Sequence, residues 1–372
     1  MRKLFLYYIA LFFFVFTLGC NSYSQEKEMA LTEQETPKET KPYFDGTLKV
    51  LQLNIWQEGT EVAGGFDAIV DEVIHTGADI VALSEVRNYD DKSLATRLVN
   101  AMAEKGLVYY SKQSQDSGIL SRFPIISQTA PYPPENDHGS ITKAIINIAG
   151  TTVAFYSAHL DYTHYECYLP RGYSGVTWKK LPPPILDVDK ILEQNLGSER
   201  DEAIAIFVAD AKKEHKKGNL VLLGGDFNEP SHLDWTKATK DRFDHHGTVV
   251  PWNNSITLQE NGFMDAYRVK YPDPVEYPGI TWPANNIQVI LSKLLWAKDA
   301  DERDRIDFIY YHPDARLVLQ DIVIVGREGC IVNGERIDTN PDREKFLQPE
   351  GIWPSDHKGV LAIFEIKSNT MS

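Results

Sequence analysis

The chain has 372 residues, 42% hydrophobic and 24% charged, so it carries the material for a packed core and is not a disordered polypeptide. Its formal charge of -15 leaves no basic footprint for tight, sequence-independent binding of a phosphate backbone. That excludes a high-affinity nucleic-acid scaffold, but not an enzyme that captures phosphate through a metal ion, because the ion then dominates the local charge.

The first twenty residues read as a targeting segment: Met1-Arg2-Lys3 is the positive end, Leu4 to Leu18 the apolar run, and Gly19-Cys20 a small residue before a cysteine. The pattern is that of a bacterial lipoprotein signal, cleaved ahead of Cys20, which would carry the lipid; Thr17 stands where Leu is usual. An uncleaved anchor is the alternative, but the run is short against the roughly 20 residues of a membrane span. Either way the chain is expected to be exported and held in the cell envelope. Residues 21–46 are acidic, contain two prolines and have no aromatic between Tyr23 and Tyr43, as in a flexible tether. Cys167 and Cys330 remain, either as a disulfide or as two buried thiols.

Leu48 to Asn54 alternates as a strand, and Phe66, Ile69, Val70, Val73 and Ile74 fall at helical spacing. Asp79 to Glu85 is a second strand ending in a carboxylate, and Ser93 to Glu104 a second helix. Gly118 to Arg122 and Phe123 to Ile126 read as strand, turn and strand; Ala144 to Ile148 and Thr152 to His159 pair across Gly150. Ser198 to Lys217 is a helix with Ser198 as candidate cap, and the apolar run Leu220 to Leu223 leads into Gly224-Gly225-Asp226-Phe227-Asn228. Arg305 to Tyr311, Val318 to Val325 and Val360 to Ile366 complete the strands. They lie too close together for one parallel sheet, so two packed sheets flanked by helices are expected.

Chemistry-bearing residues collect at the strand ends: Asn54, Glu85, His159, Asp226, Asn228, Asp307, Asp356 and His357. A hard divalent ion needs oxygen ligands, and phosphoester hydrolysis needs an activated water and a group that stabilises the leaving oxygen. Each residue alone reads as rim polarity; together, at five successive strand mouths, they point to metal-assisted hydrolysis. Arg122 beside Pro124 reads as structural.

The order of the motifs Leu53-Asn54, Ser84-Glu85, Gly118-Ile119-Leu120-Ser121-Arg122, Ser157-Ala158-His159-Leu160, Gly225-Asp226-Phe227-Asn228, Thr281-Trp282, Arg305-Ile306-Asp307-Phe308 and Ser355-Asp356-His357 resembles the endonuclease/exonuclease/phosphatase superfamily, with its deoxyribonuclease I-like fold. The resemblance implies one domain over residues 47–368, built as a four-layer α/β/β/α sandwich of two mainly antiparallel sheets, and a Mg²⁺- or Mn²⁺-dependent phosphoesterase. It implies Glu85 as principal metal ligand, with Asn54 positioning the ion or phosphate and Asp356 contributing to the metal site. Asp226 would orient or deprotonate water, and Asn228 would hold phosphate or fix Asp226. His357 paired with Asp307, and His159, would sit on the phosphate side.

Long connections at about 162–197, 230–304 and 326–354 depart from that pattern. The first, rich in Tyr, reads either as a substrate wall or as a surface lobe packing on itself; the second adds Trp235, Trp252, Trp282 and Trp296, and all three are expected to deepen the cleft in favour of a small substrate. His245-His246 lacks metal-ligand spacing and reads as loop. The leading expectation is an exported monomeric phosphoesterase acting on a diester or monoester of a small molecule, a lipid head group or a nucleic acid. The alternatives are an extracellular nuclease and a noncatalytic binding lipoprotein of the envelope that captures glycans, as in a glycan-uptake system.

Overall fold

The structure is a computed structural model, and it describes residues 44–135, 137–338 and 343–367. Cys20 and nearly all of the expected tether lie outside these residues. Phe44 already packs edge-on against Phe123, ring centroids 5.7 Å apart, so the folded body starts ahead of the first strand.

In chain order the strands are β1 (Thr47–Asn54), β2 (Ile80–Val86), β3 (Tyr110–Ser111), β4 (Asp116–Ser121), β5 (Ile125–Tyr132), β6 (Gly139–Ile148), β7 (Thr151–Leu160), β8 (Leu220–Asp226), β9 (Met264–Asp265), β10 (Asp307–Tyr311), β11 (Leu317–Val325), β12 (Cys330–Val332), β13 (Glu335–Ile337), β14 (Phe346–Leu347) and β15 (Gly359–Ile366). The helices are α1 (Gly65–Thr76), α2 (Leu94–Glu104), α3 (Val188–Asn195), α4 (Arg200–Lys216), α5 (Asn253–Glu260) and α6 (Ala266–Lys270). One sheet runs β14-β11-β15-β1-β2-β4-β3 and the other β5-β6-β7-β8-β10-β9; β12 and β13 form a separate hairpin. Each large sheet holds a parallel pair at its centre, β1 with β2 and β7 with β8, with antiparallel neighbours around it.

Period-two alternation decides the layering. In β1, Leu48 and Val50 face the second sheet, whereas Leu51 and Leu53 face α1 and α2 through Ile69, Val73, Leu98 and Met102. In β8, Leu220 and Leu222 face the first sheet, and Val221 and Leu223 meet Ile204 and Phe207 of α4. The result is the expected α/β/β/α order. α4 starts at Arg200, and Ser198 is not its cap: the Ser198 hydroxyl donates to the Asn195 carbonyl at 2.9 Å, closing the turn after α3.

Two of the three long connections share a core of their own: Tyr165, Tyr168 and Ile191 from the first with Trp235, Val250, Trp252, Trp282 and Ala297 from the second. Cys167 sits in that core and Cys330 on β12, both buried and free, so the disulfide is not formed. Among the described residues, no helix is long and apolar enough to cross a membrane.

Candidate active site

The interior of the sandwich changes character along the strands. The inward alternation that places Leu48 and Val50 in the apolar core continues to Gln52 and Asn54; Ile80 and Ala82 continue to Ser84, Phe155 to Ser157 and His159, and Leu222 to Gly224 and Asp226. At this end the sheets are held by hydrogen bonds instead of methyl packing. Ser84 Oγ donates to the Ala158 carbonyl (3.0 Å), Ser157 Oγ to the Leu83 carbonyl (3.1 Å), and the Asp226 N–H to Ser84 Oγ (3.3 Å). Two glycines permit the approach: a Cβ on Gly224 would lie 2.9 Å from Ala82 Cβ across the sandwich, and one on Gly225 2.4 Å from the Ala158 carbonyl oxygen on the next strand.

Glu85 escapes the alternation. The β2–β4 register slips between Ser84 and Val86, and Glu85 takes φ of 72°. Val86 therefore rejoins the α1/α2 face while the extra residue is redirected to the strand mouth, the recurrent use of a bulge beside a site. Asn228, at φ of 47°, bends the chain so that its own N–H reaches Asp226 Oδ1 (2.9 Å) and its amide reaches the Leu160 carbonyl (3.0 Å).

The eight expected residues come together. Asn54 Nδ2 donates to both Glu85 Oε1 (3.0 Å) and Asp226 Oδ2 (2.9 Å), so Asn54 fixes the spacing of the two carboxylates, one from each sheet. Register sets the rest: His159 lies opposite Asp226, and Asp226 opposite Asp307. His357 Nδ1 meets Asp307 Oδ2 at 2.9 Å, and its Nε2 lies 3.7 Å from Asp226 Oδ2. Glu85, His159, Asp226, Asn228, Asp356 and His357 all line one cavity of about 290 Å³. Arg122 pairs with Asp79 at the far end of the strands, a structural contact as expected. His245 lies buried against Trp235, ring centroids 3.6 Å apart, with burial pushing it down to about 2; it packs as an aromatic ring.

Several partners were not anticipated. Asp116, at the start of β4, holds His159 Nδ1 at 2.7 Å, making a second His-Asp dyad, and Arg87 bridges Asp116 (3.1 Å) to Asp137 (2.9 Å). Gln52 Nε2 donates to Asp307 Oδ1 (2.9 Å), and Thr281 Oγ1 accepts from the N–H groups of Ile306 (3.1 Å) and Asp307 (3.2 Å). Gln52 was findable, because it shares the inward face of Asn54 two residues on. Asp116 carried no local signal, since its partner is 43 residues away.

The electrostatics follow from burial and pairing. Burial alone would lower both imidazoles, but Asp116 outweighs it and lifts His159 to about 9. Asp307 and Asp226 likewise raise His357 well above its ordinary value. Burial raises Asp226, against the pull of His357. Burial also brings Asp356 up to about 7, and its Oδ1 is buried without a hydrogen-bond partner. The tightest carboxylate-imidazole group among the described residues is Asp226, Asp307 and His357, with ligand atoms within 4.8 Å of one another. Its shortest contact has the geometry of a His-Asp hydrogen bond, with Nδ1 already engaged. Glu85, Asp226 and Asp356, whose Oδ1 is unpartnered, line the same cavity and are oxygen donors of the kind a hard divalent cation takes, with their oxygens spread more widely than those of the His-Asp group.

This sandwich, with carboxylates and paired imidazoles at one end, matches a family model, that of the endonuclease/exonuclease/phosphatase family, over residues 51–357. The chain belongs to this family of hydrolases acting on phosphoesters. It is similar to an uncharacterized protein of Caenorhabditis elegans, 28% identical over 316 residues that span 85% of this chain and 90% of that protein. Similar solved structures include TDP2 of D. rerio complexed with a single-strand DNA product, at 14% identity, covering 86% of this chain and 100% of that one with TM-score 0.49. The human Nocturnin catalytic domain with bound sulfate is another, at 14% identity, covering 88% and 97% with TM-score 0.47.

Proposed function

We propose that the chain is a Mg²⁺- or Mn²⁺-dependent phosphoesterase that hydrolyses a compact phosphoester outside the cytoplasm. The observation that carries this reading is the meeting of Glu85, Asn54 and Asp226 from two sheets with two His-Asp dyads in one cavity. Glu85 and Asp356 would hold the ion, which would supply positive charge against the phosphoryl oxygens. Asp226, raised by burial and steadied by Asn54 and Asn228, orients water and accepts its proton as the new P–O bond forms. His357 and His159, kept protonated by Asp307 and Asp116, donate to the phosphoryl group, and one of them returns a proton to the departing oxygen.

The test uses the body from Pro42 onward with Mg²⁺ or Mn²⁺ and a panel of bis-aryl phosphate, aryl phosphate, plasmid DNA, RNA and sphingomyelin. Turnover should require the ion and fall by about 10²-fold or more in Glu85→Ala and in His357→Ala. Turnover that survives chelation, or survives Glu85→Ala, would remove the metal from the reading. Export and anchoring are supported by the Met1–Cys20 pattern alone. A palmitate analogue fed to cells should label the chain and Cys20→Ser should abolish both the label and the cleavage that shortens the chain, whereas a parent chain that takes up no label would rule out lipidation there.

A further inference from the structure

One side of the cavity is made by the long connections and is aromatic: Tyr165, Tyr168, Trp178, Trp282 and Trp296 line it. The rings run outward from the reacting end. Trp282 lies 6.5 Å from the His357 imidazole, Tyr165 6.4 Å from Trp282, Trp178 6.3 Å from Tyr165, and Trp296 5.2 Å from Trp178 with planes 38° apart. The inner rings are explained by packing, since Tyr165, Tyr168 and Trp282 belong to the core of the lobe. Trp296 is not, because it remains 55% exposed. Its backbone is nonetheless fixed: Glu302, itself buried, accepts the N–H groups of Trp296 (3.0 Å) and Ala297 (2.7 Å) and the Tyr168 hydroxyl (2.7 Å). A large ring on a fixed backbone, packed beside Trp178 at the cavity and still more than half exposed, is a preorganised stacking surface. Gln57, Arg87 and Asp137 also line the cavity and bring both donors and acceptors to it.

We infer that Trp178 and Trp296 form a subsite for the alcohol part of the substrate, which bears a ring with an apolar face and hydrogen-bonding edges, as a nucleobase or a pyranose does. The phosphoryl group then faces Asp226 and His357, and the cavity, at the small end of the roughly 300–1,000 Å³ typical of ligand sites, takes one ring and not a duplex. The inference rests on the phosphoesterase reading for the placement of the phosphoryl group, while ring binding itself can be measured without catalysis.

Two measurements separate the claims. With metal present, kcat/KM is compared for glucose 6-phosphate, adenosine 5′-monophosphate, their methyl diesters, and glycerol 3-phosphate with its methyl diester as ringless partners. In parallel, calorimetry follows binding of adenosine and of methyl glucoside. One ring class should exceed the ringless partner by about tenfold or more, and Trp296→Ala should remove that advantage while leaving the ringless rate within about twofold. Trp178→Ala should act in the same direction, and the arm that responds identifies base or sugar. Turnover without ring preference, or equal losses on ringed and ringless substrates in Trp296→Ala, would overturn the subsite and leave the phosphoesterase reading standing. Ring binding that depends on Trp296, with no turnover of any phosphoester, would do the reverse. Neither ring binding nor turnover would overturn both.

Discussion

His159 is kept charged chiefly by Asp116, ahead of Asp226 and Glu85, and that makes a measurable prediction. Asp116 at 2.7 Å holds the imidazole at about 9, above the ordinary value near 6.5. A histidine whose folded value is raised binds more protons folded than unfolded between those limits, so its stabilisation is complete below about 6.5 and is lost as pH rises through about 9. In chelated protein, Asp116→Asn should therefore cost about 3 kcal/mol near pH 6 by chemical denaturation, with the gap to the parent closing toward pH 9. A gap that stays constant with pH would mean that Asp116 acts by packing and not by charging His159. Asp307 does the same for His357, and Gln52 and Thr281 hold Asp307 in turn, so this dyad is tied to both sheets and to the connection before β10.

At the scale of elements, the site depends on how closely β8 lies to its neighbours. Register alone puts His159 beside Asp226 and Asp226 beside Asp307, and Gly225 is the residue that lets β7 and β8 keep that register at their ends. A methyl group there would meet backbone, 2.4 Å from the Ala158 carbonyl oxygen, with no flexible side chain to yield. Gly225→Ala should cost about 1–3 kcal/mol of stability and reduce turnover by more than the stability loss explains, because it displaces Asp226 from His159. Thermal melts and kcat measured together check this; a variant with parental turnover would show that the strand ends can separate without harm. The bulge at Glu85 is the matching device in the other sheet, where one extra residue re-aims a carboxylate that strict alternation would have placed against α1 and α2.

At the scale of the whole molecule, two sheets deliver carboxylates to the same end, and an ion between them would act as a clasp. Glu85 comes from β2 and Asp356 from the segment before β15, and Asn54 ties Glu85 to Asp226 of β8, so a cation held by Glu85 and Asp356 would strengthen the contact that joins the two halves of the sandwich. Mg²⁺ or Mn²⁺ at about a hundredfold over its Kd should raise the melting temperature by about 3–8 °C, corresponding to roughly 2.7 kcal/mol, and chelation should reverse it. Glu85→Gln should abolish the shift without unfolding the protein. A shift that persists in that variant would place the ion elsewhere. The aromatic lobe belongs to this scale too, because its core is assembled from connections that are far apart in the chain and individually short of apolar cover.

The strands and main helices were legible because period-two and helical spacing are local properties, and strand ends could be read from the apolar runs: Asn54, Glu85, His159 and Asp226 close such runs, and Asp307 opens one. The sequence by itself thus determined the family, the layering and the list of residues that meet. It also contained the inward parity that Gln52 shares with Asn54, a signal that needs only the knowledge of which face is inside. Pairing was decided by the tertiary structure. Nothing near Asp116 announces His159, short helices such as α3 and α5 arise inside long connections, and the packing of the two aromatic connections on each other shows only in the partners of each ring. The physical reason is range: alternation and spacing act over a few residues, whereas a hydrogen bond, an ion pair or a shared core is made between segments that only the folded chain brings together.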